Sequence, residues 1–343
     1  MKNILLFPII FAFIFYACSD FSGNEDAVEA SLKPAPVTRN NNNNNNNDDD
    51  DDDDDTPSPR TYYDLEGITF GNNTFVAVGK RGADGRAVVR ISSDNGSTWD
   101  NGTSGTTSTL YEIAYGNSTF VAVGDSGTHL YSRDNGGTWS TGTWSENDRV
   151  TGVAFGNNTF IGVSIYGEYV TKSVDNGSNW SKKAQGIAVY DVTYGNSKFV
   201  ASGDNGAIQH SSNDGENWTN GDAGTSTNYL WGITFGNNRF LTVGYSGWLS
   251  YSSDNGSNFT ALTIPLANSL YSTAYGNNIF VSVGYYSVVV SDNDMSEDPI
   301  LKANSYYFND VTFGNGVFVA VGNDENIYTS TDGDTWTKVH GKP

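Results

Sequence analysis

The sequence predicts an all-β fold, a seven-bladed β-propeller of four-stranded antiparallel blades, and three observations predict it. A marker close to Phe/Tyr-Gly-Asn-Asn/Ser-x-Phe-Val-x-Val-Gly begins at Phe70, Tyr115, Phe155, Tyr194, Phe235, Tyr275 and Phe313, with its glycines 45, 40, 39, 41, 40 and 38 residues apart. A second motif, Ser-x-Asp-Asn-Gly-x-x-Trp, follows it in register, as in Ser92 to Trp99 and Ser132 to Trp139. No 3.6-residue apolar period persists after the first eighteen residues, while Gly and Asn separate short apolar runs. Self-similarity at about forty residues, with four short strands in each unit, is the pattern of a radial repeat. In the second unit the strands are expected at Glu112 to Tyr115, Phe120 to Val123, Thr128 to Ser132 and from Trp139 onward.

In chain order, residues 1–17 read as a signal peptide: Lys2 is the positive region and Ile4 to Phe15 an apolar core too short for a comfortable membrane span. Cys18, the single cysteine, follows Phe15-Tyr16-Ala17 as the acceptor of a lipid anchor would. Phe and Tyr depart from the usual lipobox, and an ordinary cleaved signal is the alternative. Residues 18–60 form a tether: Asn40 to Asn47, then Asp48 to Asp55, then Thr56-Pro57-Ser58-Pro59. Nothing there is apolar enough to offset chain entropy, and the Asp run repels itself and extends. Residues 61–343 are the repeat domain. Its ring closes either by side-chain packing between first and last units or by Arg60 to Tyr63 pairing as an extra strand.

The formal charge is -21, with eight of the negative charges in that one Asp run. Nucleic acid is excluded as a partner, since its phosphates would be repelled. The expected setting is the bacterial cell envelope, at the outer membrane, with only the lipid anchor touching the bilayer and the domain monomeric.

The repeated Ser-x-Asp-Asn-Gly-x-x-Trp unit reads as a tight turn. Its Asp caps backbone N–H groups ahead of it, and Gly supplies a left-handed position. A catalytic group is used once, but Asp94, Asp134, Asp175 and Asp254 recur in register, so they are read as structural. Asn213 and Thr331 stand where the Asp is expected in the fourth and seventh units, and the sixth reads Ser291-Asp292-Asn293-Asp294-Met295, without the motif.

This unit matches the Asp-box, or BNR repeat. With its flanking marker the domain resembles the Asp-box propellers, which include bacterial sialidases, sortilin-type receptors and photosystem II assembly factors. The resemblance implies the fold, implies that the boxes lie away from the functional face, and leaves function open. A sialidase would need three convergent arginines and an Arg-Ile-Pro sequence. Here Arg90-Ile91 is followed by Ser92, and only Arg81, Arg86 and Arg149 are placed to approach the non-box face.

If the protein is a glycoside hydrolase, its carboxylates are Glu112, Asp191 and Asp310, on aligned inner-strand positions. They come from three separated units, so a wet, acidic channel lining is the plainer reading. His129, His210 and His340 have no metal-ligand spacing. Asp292, Asp294 and Asp298 have EF-hand-like odd spacing, but Glu297 stands where Gly is required and Ala303 where a bidentate Glu is. No cofactor is expected beyond a weakly bound Ca²⁺ there. Function is expected in the variable loops opposite the boxes. Tyr166, Glu168, Tyr245, Trp248, Tyr285 and Tyr286 are the candidates for binding a protein or a glycan. Tyr111, Tyr190, Trp231 and Tyr271 start inner strands at one aligned position and read as packing between blades.

Overall fold

The computed structural model describes residues 63–342, apart from 167–168, 185, 226, 263 and 265–267. The signal peptide, Cys18, the tether and Glu168 lie outside the described residues. Every regular element there is a β-strand or a short 3-10 turn, and all strand pairs within the sheets are antiparallel. No helix among the described residues is long and apolar enough to cross a membrane.

Each marker folds as a hairpin between an inner strand and its neighbour, as in Leu65–Gly71 against Thr74–Arg81. The two asparagines take left-handed backbone, φ 46° at Asn72 and 59° at Asn73, which Asn tolerates better than other side chains. The Phe-Val-Ala-Val run is continuous rather than alternating because the strand is covered on both faces. Phe75 and Ala77 join a cluster with Val319, Val321 and Ile327, whereas Val76 and Val78 join one with Leu110, Ile113 and Phe120. Each middle strand thus belongs to two cores.

Hydrogen bonding divides the strands into six sheets, five of four strands and one of six. The sequence leads one to expect a separate four-stranded sheet for every marker. The sixth sheet instead carries the last two markers. Strand Ile300–Gly314 pairs through Ile300 to Ala303 with Ser287 to Val290, then runs on to pair through Phe308 to Gly314 with Val317 to Gly322. An uninterrupted extended chain between two repeat units merges their sheets.

The motif turns are held by side-chain acceptors. Asp94 accepts from Thr98 N (2.9 Å), Thr98 Oγ1 (2.6 Å) and Ser92 Oγ (2.8 Å), and these bonds hold its carboxyl down at about 2. Asp134, Asp175 and Asp254 repeat the pattern, and Asn213 accepts from Asn217 N at 3.0 Å. Trp99, Trp139, Trp180, Trp218 and Trp336 donate their indole N–H to the turn glycine's carbonyl.

Two expectations are corrected. Thr331 does not replace the turn Asp: Asp332 does that work, accepting from Thr335 N at 2.9 Å and Ser330 Oγ at 3.0 Å, because this turn is one residue shorter. The sixth unit has not lost its turn either. Asp292 accepts from Ser296 N (3.1 Å) and Ser296 Oγ (2.8 Å), the same four-residue reach displaced by one position.

Successive units meet through side chains. A β-carbon on Gly71 would strike the ring of Tyr115. The same relation runs from Gly116 to Phe155, Gly156 to Tyr194, Gly195 to Phe235, Gly236 to Tyr275, Gly276 to Phe313 and finally Gly314 to Phe70. Hairpin asparagines latch the same neighbours: Asn72 donates to Asn135, Asn117 to Asn176, Asn157 to Asp214 and Asn277 to Thr331 O. Where the first and last repeat units meet, Glu325 N donates to Tyr63 O at 2.8 Å, and Glu325 pairs with Arg90. Tyr63 lies outside any strand.

Candidate functional site

Each inner strand carries a one-residue irregularity near its start, as between Leu65 and Gly67, Leu110 and Glu112, and Val189 and Asp191. A bulge re-aims the extra side chain. The extra residues, Glu66, Tyr111, Thr151, Tyr190, Trp231, Tyr271 and Asn309, all line one cavity of about 190 Å³. Glu112, Asp191, Ser272 and Asp310, each the next residue along, complete the lining. Tyr111, Tyr190, Trp231 and Tyr271, expected as packing between blades, therefore form walls of the central cavity.

The three carboxylates meet here. Asp310 Oδ2 accepts from Ile68 N at 2.6 Å, and its Oδ1 accepts from Val311 N at 2.8 Å and Ser272 Oγ at 2.5 Å. Asp191 Oδ1 accepts from Val192 N at 2.7 Å and Oδ2 from Ile233 N at 2.9 Å. Glu112 Oε1 accepts from Ile113 N at 2.8 Å. Inner strands have a channel-facing edge without a strand partner, and these acids supply acceptors for it.

Burial dominates their ionisation. It pushes Asp191 up to about 7, against the lowering effect of its two backbone donors, with the charge of Asp310 adding to the rise. Burial likewise raises Asp310 to about 6 and Glu112 well above the usual carboxylate range, the latter helped by repulsion from Asp310 and Asp191.

Around the cavity mouth the aromatic rings touch in sequence. Tyr229 stacks on Trp231, centroids 6.3 Å apart and planes within 6°, and Tyr245 meets both edge-on at 6.2 and 6.0 Å. Trp231 contacts Tyr271 (5.4 Å), Tyr271 contacts Tyr307 (5.8 Å), and Tyr307 contacts Tyr285 (5.4 Å) and Tyr286 (6.4 Å). Tyr229, Tyr245 and Tyr286 remain about two-fifths exposed, at 41%, 37% and 44%. Arg149 binds Asp125 at 2.9 Å and lies over Tyr111 and Tyr166, and Tyr190 donates to Asp204.

Tyr285 and Tyr286 thus touch each other, Tyr245 is linked to them through Trp231, Tyr271 and Tyr307, and Tyr166, 67% exposed, lies instead under Arg149. Trp248 is set apart: it is half-buried against the core cluster that contains Val200, Leu230 and Phe240, and its indole donates to Ser250 Oγ. Tyr229 and Tyr307 were missed. Both occupy the position two before the bulge, where Asp64, Thr109, Ala188 and Ser269 stand in other units. Large rings at a position otherwise polar or small were the available sign. Asp292 and Asp294 both receive Ser296 N, and Asp298 is exposed. Among the described residues no group of three or more His, Cys, Asp or Glu is arranged to hold a metal ion.

No protein-family profile and no curated protein matches the chain. Solved structures do. YCF48 bound to a D1 peptide is similar with a TM-score of 0.56 and 19% identity, over 69% of this chain and 82% of that one. YCF48 from Cyanidioschyzon merolae gives a TM-score of 0.62 and 17% identity, over 80% of this chain and 97% of that one. The WD40 β-propeller domain of Doa1 gives 0.60 and 13%, over 78% and 92%. At such identities the likeness is one of architecture, and the architecture of this chain is that of a β-propeller.

Proposed function

We propose that this chain is a non-enzymatic binding module, a seven-bladed Asp-box propeller that holds a protein partner on the face opposite its Asp turns. The carrying observation is the run of touching rings from Tyr229 to Tyr286 beside a central cavity. Rigid aromatics that are part exposed give large contact area at small entropy cost, as interface hot spots do. The similar fold of a YCF48 bound to a D1 peptide supports a peptide-like ligand for such an architecture. The sequence of residues 1–60 supports a lipid-anchored module in the bacterial envelope, held out on its acidic tether.

Glycoside hydrolysis is the second reading, favoured by one observation: Asp191 and Asp310, raised by burial to about 7 and 6, suit a general acid. Against it, both oxygens of each accept hydrogen bonds from backbone N–H groups. A glycan array probed with the full chain, each spot read by mass spectrometry, separates the readings. Cleaved glycans would establish the enzyme. Intact but retained glycans would make the ligand a glycan. A blank array, with photo-crosslinks to protein from position 245 or 286 and none from position 135 on the turn side, is the expected result.

A further inference from the structure

Resting on the protein-partner reading, we propose that the cavity at the centre of the aromatic face receives a cationic side chain, Lys or Arg, from an extended partner segment lying across Tyr229, Tyr245 and Tyr286. Charge complementarity selects this occupant. The cavity lining includes the carboxylates of Glu66, Glu112, Asp191 and Asp310 and no lysine, arginine or histidine. Lys80, 3.2 Å from Glu66, is the cation paired with that set, and Arg149 at the rim is engaged by Asp125. Between the acids the lining is completed by Tyr111, Tyr190, Trp231 and Tyr271, and aromatic rings beside carboxylates attract an inserted cation.

The same charge argument removes other occupants. The chain's own Asp48 to Asp55 run would be repelled, as would a second copy of a chain carrying -21. An inserted cation favours the ionised carboxylates, so binding should release protons and strengthen as Asp191 and Asp310 ionise. The titratable and polar groups that share the cavity with these acids are Glu112, Glu66 with its partner Lys80, and Ser272, which donates to Asp310, whereas the phenols of Tyr111 and Tyr190 donate away from them to Asp125 and Asp204.

The test uses the full chain and synthetic nine-residue Gly/Ser peptides carrying one central Arg, Lys, Leu or Glu between two flanking Leu residues, with affinity read by fluorescence anisotropy. The Arg and Lys peptides are expected to bind at least tenfold more tightly than the Leu peptide, and the Glu peptide not at all. The Arg preference should shrink at least fivefold in Glu112→Gln and in Asp191→Asn, both checked for native circular dichroism. It should also weaken from pH 8 to pH 5. Asp214→Asn, on the turn side, should change nothing. Equal binding of Arg, Leu and Glu peptides would overturn the cation inference while leaving a protein-binding face. Arg preference that survives both carboxylate variants would also overturn it. Binding of none of the peptides would overturn the inference, and joined to retention on a glycan array would overturn the protein-partner reading with it.

Discussion

Gly314 sits so close to Phe70 that a β-carbon on the glycine would lie 2.1 Å from Cγ of the ring. The two residues are separated by nearly the whole domain, and their contact closes a cycle of seven such pairs. Gly314→Ala should therefore cost about 1–3 kcal/mol, as overpacked sites do. Denaturant unfolding should show the loss. A variant as stable as the parent would mean the ends of the ring have room to part.

The turn carboxylates make a second prediction. Asp134 accepts from Thr138 N, Thr138 Oγ1 and Ser132 Oγ. Asp134→Ala should cost about 1 kcal/mol, in the range for a capping side chain, and Asp134→Asn less. Asn213 already fills this place in the fourth unit, accepting from Asn217 N. Equal losses for Ala and Asn would contradict the capping role.

Two sets of buried groups give stability opposite pH slopes. His129, between Trp144 and Trp180, is pulled down by burial to about 4. The unfolded chain takes up its proton near pH 6.5, so the native state loses up to about 3 kcal/mol as pH falls from about 6.5 to 4. Asp191 is raised to about 7, above its unfolded value. Its charged form is disfavoured by folding, so stability is lost as pH rises from about 4 to 7. Unfolding free energy measured across pH 4–8 should lose its acid-side slope in His129→Leu and part of its neutral-side slope in Asp191→Asn. Unchanged slopes would refute these assignments.

Glu325 adopts left-handed backbone, φ 55°, at a place where other units have Gly127, Gly206 and Gly247. Its side chain, 2% exposed, pairs with Arg90. Removing one partner of such a pair strands the other, so Glu325→Gly should cost about 3 kcal/mol despite the relaxed backbone. Adding Arg90→Met should restore much of it. A double-mutant cycle with no coupling would show the pair to be incidental.

Binding should track the rings. Tyr245→Ala and Tyr286→Ala are each expected to weaken capture of the partner by tenfold or more, and Trp248→Ala to lower stability instead, since Trp248 packs into the core. Titration against the crosslinked partner, alongside thermal unfolding, separates the two outcomes.

Local rules made much of this molecule legible in its residues. Strand positions, the Asn hairpins and the capping role of Asp94 follow from alternation, left-handed tolerance and short side-chain reach, all settled within a few neighbours. The errors at Thr331 and in the sixth unit arose where a one-residue change displaced the capping Asp, because a fixed spacing was read where only the reach of four residues matters. The acids Glu112, Asp191 and Asp310 were legible as a channel lining from their aligned positions, but the aromatic walls beside them were not. Tyr111, Tyr190, Trp231 and Tyr271 look like packing because they recur. Only the bulge in each inner strand turns them inward, and only the ring brings Glu112, Asp191 and Asp310 close enough to repel one another. The sequence by itself determined the repeat and its turns, which are local. The tertiary structure decided which aromatics line the cavity and how closely its acids approach, since both depend on strands that are forty or more residues apart in the chain meeting around one axis.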